Sequence, residues 1–169
     1  MTYILDIPDD IRREDSLQVF NSYWDRYREY LASLEGKLPS SAYAFATAEW
    51  HYDYHDHRCP HDAWVEHLTI HEPSSGERRQ IRGLDIQVRL LGACHDGYIE
   101  LSYKNVYGYQ LSYAPGPSCG GHSDWLVDEI RLSEHGNVVH EIVFWSNARW
   151  YIECEDIEYK WLPFNEVPA

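Results

Sequence analysis

From Leu17 onward, apolar and aromatic side chains recur at Phe20, Trp24, Tyr27, Leu31 and Leu34, in steps of three and four that line one stripe of an α-helix. Asp15 or Ser16 can cap the free N–H groups of its first turn, and Gly36 with Pro39 ends the pattern. Ser40 to Ala48, rich in alanine and carrying Tyr43 and Phe45, predicts a second, short helix. The aromatic stripe is read as a face that docks on a sheet. After Pro60 the period changes to two. Apolar positions alternate with polar ones at Trp64, Leu68 and Ile70; at Leu84, Ile86, Val88 and Leu90; and at Ile99, Leu101 and Tyr103. Further alternating runs hold Tyr107, Tyr109, Leu111 and Tyr113; Leu126, Ile130 and Leu132; Val138, Ile142 and Phe144; Trp150 and Ile152; and Ile157, Tyr159 and Trp161. Between them stand turn signals, Pro73 to Gly76, Asp96-Gly97, Lys104-Asn105, His135 to Asn137 and Ser146-Asn147, with one longer loop from Ala114 to Gly121. The pattern predicts an α+β fold. A helical N-terminal segment (1–50) packs on a mainly antiparallel sheet of seven or eight strands (61–162) that can curve strongly, within a single domain (1–169).

Composition narrows the function more than the fold. With 44% hydrophobic and 15% aromatic residues, the 169-residue chain can bury a real core and is not a disordered segment. The formal net charge is −14, and the densest basic run is only Arg78, Arg79, Arg82 and Arg89, which argues against nucleic acid as a partner. No apolar run approaches the length that crosses a bilayer, so the expectation is a cytoplasmic protein with no membrane partner. The four cysteines are then reduced thiols, which keeps metal binding open.

One local pattern recurs where strands begin. His61-Asp62-Ala63-Trp64-Val65-Glu66 is similar to His95-Asp96-Gly97-Tyr98-Ile99-Glu100, and a looser copy runs from His122 through Asp124 to Asp128. In a meander these three openings share one end of the sheet, together with Cys59, Cys94 and Cys119. Thiolate and imidazole suit zinc, and Cys59, His61, Cys119 and His122 supply two of each; Asp62, His95, Asp96 and Asp124 complete the candidate metal set. Two other readings of the same residues stay open: turn chemistry before a strand, and a hydrogen-bonded structural cluster. The histidine-rich run from His51 to Asp62 lacks the order of a metallohydrolase signature. His67 and His71 fall on a strand, not on a zinc-protease helix.

Charge is uneven along the chain. Residues 114–169 carry 3 basic and 10 acidic side chains, half of the net charge. Asp128, Glu129, Glu141, Glu153, Glu155, Asp156 and Glu158 lie on or between the last strands, with Trp145 and Trp150 nearby, a combination that would steer and anchor a basic partner. The same acids also serve as ordinary solubility charge that protects strands from aggregation. The stretches H-D-A-W-V-E at His61, L-S-Y-K-N-V at Leu101, D-E-I-R-L at Asp128, H-E-I-V-F at His140 and W-Y-I-E-C-E-D-I-E at Trp150 resemble bacterial proteins related to the immunity proteins of polymorphic toxin systems. That resemblance covers about residues 45–162. It implies a small, cytosolic, non-enzymatic protein that binds a cognate toxin domain tightly.

Two functions follow as expectations. The first is a binding module that presents the acidic strands to a basic protein partner such as a toxin domain, with no cofactor. The second is a metal-dependent hydrolase in which the clustered histidines and aspartates hold a metal that activates water. Zinc is the ion such a set would suit, and a structural zinc would join features of both.

Overall fold

The computed structural model describes residues 2–8, 17–115 and 121–164. The candidate caps Asp15 and Ser16, and Cys119, lie outside the described residues. Helix α1 spans Leu17–Ser33, and a short helix α2 spans Ser40–Ala46. Between them the chain turns through Gly36 at φ +71°, a left-handed conformation that glycine adopts without a Cβ clash. Helix α2 receives its N-terminal partner from a distant strand: Asp156 accepts hydrogen bonds from the Ser41 hydroxyl and, at 3.2 Å, from the Ala42 N–H. No helix among the described residues is long and apolar enough to cross a membrane.

Among the described residues eight strands follow: β1 Trp64–His71, β2 Ser74–Ser75, β3 Ile81–Arg82, β4 Asp85–Leu91, β5 Gly97–Leu111, β6 Trp125–Leu132, β7 Val138–Phe144 and β8 Arg149–Pro163. Six of them form one antiparallel sheet in the order β1-β4-β5-β8-β7-β6, and β2 with β3 makes a separate two-stranded ribbon. The α+β architecture read from the sequence is the architecture found, with the strands divided six and two.

The meander is not. Strand β8 inserts between β5 and β7 and pushes β6 to the far edge, while the absence of a hairpin at Lys104-Asn105, which leaves β5 as one strand, makes β6 run opposite to β1 and β5. Hydrophobic alternation says which face of a strand is buried but carries no information on which strand lies beside it.

One of the expected turns is also absent as a turn. Lys104-Asn105 sits inside the continuous strand β5, where Asn105 has φ +45° and the register with β8 slips between Val106 and Gly108. Across from it the buried side of β8 changes from Ile152 and Cys154 to Ile157. A bulge costs one residue of register and increases the local twist, so the slip lets two 15-residue strands bend together while each keeps an apolar inner face.

The core lies inside this curve. Ile86, Val88 and Leu90 of β4 face Tyr103, Leu101 and Ile99 of β5, and Ile130, Ile142, Phe144, Trp150 and Ile152 continue the layer across β6, β7 and β8. Phe45, Ala42, Leu34 and Leu38 cover it from the helical side. Gly97 is required where Trp161 crosses β5, because a Cβ there would stand 2.5 Å from the indole ring.

Helix α1 docks along the edge of the sheet. The Tyr27 hydroxyl accepts the Ile130 N–H at 2.8 Å and donates to the Ile130 carbonyl at 3.2 Å. Tyr30 accepts the Leu132 N–H at 3.0 Å, and Tyr52 donates to the Asp128 carbonyl at 3.2 Å. An edge strand exposes a row of unpaired donors and acceptors, and here tyrosine hydroxyls take the place of a further strand along β6.

Candidate functional site

Two polar arrangements stand out, one sealed inside the fold and one on its surface. The inner one centres on Asp128, buried on β6. Its Oδ2 accepts from His51 Nε2 and His140 Nε2, each at 2.9 Å, and its Oδ1 accepts from Trp125 Nε1 at 3.0 Å. Burial alone would raise the carboxyl's pKa. The charge of His51 and the hydrogen bonds from His140 and His51 outweigh it and hold Asp128 well below the ordinary carboxylate range. His51 Nδ1 faces the Phe45 carbonyl at 2.8 Å. A carbonyl and a carboxylate only accept, so both ring nitrogens of His51 carry protons and the ring is an imidazolium paired with Asp128. His140 Nδ1 faces the Tyr103 hydroxyl at 2.9 Å. Burial raises the Tyr103 phenol far above its usual value, so Tyr103 meets the ring as an uncharged hydroxyl. Phe45 and Tyr52 sandwich the His51 ring at 4.2 and 4.1 Å between centroids. The group is an ion pair locked in the core, out of reach of any substrate.

The surface arrangement forms where the two edge strands meet. Asp62 N–H donates to the Trp125 carbonyl at 2.8 Å, Trp125 N–H donates to the Ala63 carbonyl at 3.0 Å, and Trp145 N–H donates to the Asp124 carbonyl at 2.9 Å. The first and third strand openings are thus brought together across the gap, although the ladder directions place their strands at opposite ends of the sheet. On this corner His61 donates through Nδ1 to the Leu126 carbonyl at 2.7 Å, and Tyr54 stacks on its ring at 3.9 Å. Trp145 Nε1 donates to Asp62 Oδ1 at 3.1 Å. The second opening has other partners: Trp64 meets the His95 ring edge-on at 4.5 Å, and His57 Nδ1 hydrogen-bonds Asp96. The exposed rings of Trp145 (54%), Tyr54 (51%) and Trp64 (46%) are each held by a histidine or aspartate of a strand opening.

Most candidate metal ligands are engaged separately. Cys59 is buried and donates its Sγ hydrogen to the His51 carbonyl at 3.0 Å; burial pushes its thiol up to about 12, which disfavours the thiolate a metal requires. His122 packs edge-on against Trp150 and Tyr113, away from His61, and burial lowers its pKa. Among the described residues no group of three or more His, Cys, Asp or Glu is arranged to hold a metal ion. Asp62, His95 and Ser123 instead have φ between +55° and +61°, the left-handed turn conformation that short polar side chains tolerate.

The acidic strands are largely spent internally. Asp128, Glu129 and Trp150 are buried and present nothing to a partner. Glu129 lies under residues 3–5, where it accepts the Tyr3 and Leu5 N–H groups at 2.6 and 2.9 Å, and its other oxygen is 3.3 Å from Arg131 Nε. Glu141 pairs with Arg131 and Arg149, Glu153 accepts from Asn137 at 2.8 Å, and Asp156 caps α2. Glu155, bonded to Asn105, and Glu158, 3.8 Å from Lys104, are the exposed members. Of the residues proposed for partner binding, Trp145 stands out as an exposed ring.

Sequence reasoning missed the Asp128 network. Strict alternation through Ile142 and Phe144 puts His140 on the inner face of β7, and alternation through Ile130 does the same for Asp128. That signal was visible; the third member, His51, comes from a loop that no periodicity places. No family model, curated protein or solved structure matches the chain.

Proposed function

We propose that the chain is a non-enzymatic binding module of the immunity-protein type, which docks a basic protein partner such as a toxin domain through the corner where β1 and β6 meet. The observation that carries this reading is Trp145, more than half exposed, with its indole N–H fixed on Asp62. A ring already held in one orientation loses little freedom on binding, and tryptophan and tyrosine are the side chains that most often dominate interface energy. Tyr54 and Trp64 extend the aromatic surface, while Asp62 and Asp96 lend it negative charge within a chain of net charge −14. Such a field speeds encounter with a basic partner.

The test isolates a partner on the immobilised full chain and then titrates it as a purified protein by calorimetry. Trp145→Ala with Tyr54→Ala should weaken binding by about 30-fold or more, the scale of a lost hot spot. Glu155→Lys with Glu158→Lys should mainly slow association and flatten its salt dependence. Unchanged affinity in the aromatic variant, with loss in the glutamate variant, would return the interface to the acidic strands.

A further inference from the structure

Between α1, α2 and the 47–53 loop lies a half-open cavity of about 430 Å³, on the helical side of the fold and independent of the corner described above. Its walls are unusually aromatic for a surface feature: Trp24, Tyr27, Tyr43 and Tyr52 line it, with Leu31 and Ala46 beneath. Trp24 and Tyr52 meet edge to face at 4.8 Å between centroids, and Tyr27 and Tyr52 do so at 6.0 Å. The hydroxyls of Tyr27 and Tyr52 are turned onto the β6 backbone; Tyr27 is fully buried behind the wall, and the half-buried Tyr52 offers ring carbon, not phenol oxygen, to the space. At the mouth stand two exposed carboxylates, Glu49 and Asp53, and one guanidinium, Arg28, which already pairs with Asp25 at 2.8 Å.

We propose that this cavity binds a monovalent organic cation with an apolar body, an alkylammonium or alkylguanidinium. The π faces of aromatic rings carry negative potential and attract a cation that has lost its water, while the rings also cover alkyl groups. Two carboxylates at the mouth favour the cation over a neutral molecule, and disfavour an anion of the same shape. The volume lies in the range of small-molecule pockets and exceeds what an inorganic ion would fill.

The test uses the full chain, labelled with ¹⁵N, and follows backbone amides of residues 46–53 and the Trp24 indole N–H during titration with choline, butylguanidinium, the neutral choline isostere 3,3-dimethylbutan-1-ol, and butyrate. Saturable shifts confined to these signals are expected for the two cations, with the neutral isostere about tenfold weaker and butyrate silent. Glu49→Gln with Asp53→Asn, both on the surface and so harmless to folding, should weaken the cations several-fold. Arg28→Gln should tighten them. A parallel titration with N-acetyl-lysine methylamide separates the sources: binding equal to that of the free amines identifies a partner's side chain as the ligand, and binding of the free cations alone identifies a small molecule. Equal affinity for choline and its neutral isostere, or no saturable shift by any cation up to about 10 mM, overturns the proposal.

Discussion

The Asp128 cluster makes a sharp prediction because it fixes where protons reside. Asp128→Asn keeps the shape of the side chain and removes its charge, leaving the His51 imidazolium in the core with no counter-ion and its Nε2–H facing an amide. Removing one partner of a buried ion pair costs about 3–5 kcal/mol, a large share of the roughly 5–15 kcal/mol by which domains are stable. For a chain of this length the loss lowers the melting temperature by roughly 10 °C. The assay is urea denaturation followed by far-ultraviolet circular dichroism, with the variant alone and combined with His51→Phe, which keeps a ring between Phe45 and Tyr52 without the charge. The double variant should recover part of the loss. The dependence on pH has a definite sign. Asp128 has a lower pKa folded than unfolded, so its contribution is complete above about pH 5, where the unfolded carboxyl is ionised, and fades as the pH falls towards the folded value. Below about pH 5 the gap between wild type and Asp128→Asn should therefore shrink as the pH falls. A loss under about 1 kcal/mol at neutral pH with an unchanged denaturant slope, or a gap that grows as the pH falls below about 5, would refute the ion-pair assignment.

Two further outcomes test the fold around the sites. Tyr27→Phe leaves the buried Ile130 N–H and carbonyl without their hydroxyl, which should cost about 1–3 kcal/mol and speed hydrogen exchange at the Ile130 amide far more than at Ile142 on β7; unchanged exchange would show that the edge of β6 is sealed by other means. In the folded protein, thiol labelling mapped by mass spectrometry should modify exposed Cys94 readily and leave Cys59 and Cys154 unmodified, since both are buried and burial pushes each thiol up to about 12; rapid labelling of Cys59 would restore it as a reactive ligand.

The local pattern of the chain determined which segments become helices and strands and which faces they bury. Periods of 3.6 and 2 are properties of single elements, so Trp24, Tyr27 and Leu31 on α1, and Ile86, Val88 and Leu90 on β4, could be placed inside without any partner being known. Each of the three strand openings contains one residue in the left-handed turn conformation, Asp62, His95 and Ser123, although Asp62 and His95 occupy different positions of the repeated pattern. Tertiary structure alone decided the rest, because it depends on neighbours far apart along the chain. Inserting β8 between β5 and β7 moved β6 to the far edge, the unbroken run of β5 through Lys104-Asn105 reversed it, and two backbone hydrogen bonds then carried Trp125 back to Asp62 and Ala63. The acids show the same division. An aspartate in a sequence reads as surface charge, since an isolated carboxylate cannot afford burial, and only the arrival of His51 and His140 from remote segments turned Asp128 inward. The aromatic stripe of α1 could be seen to be buried, but that its tyrosines would finish the hydrogen bonds of an edge strand rested on where that edge came to lie.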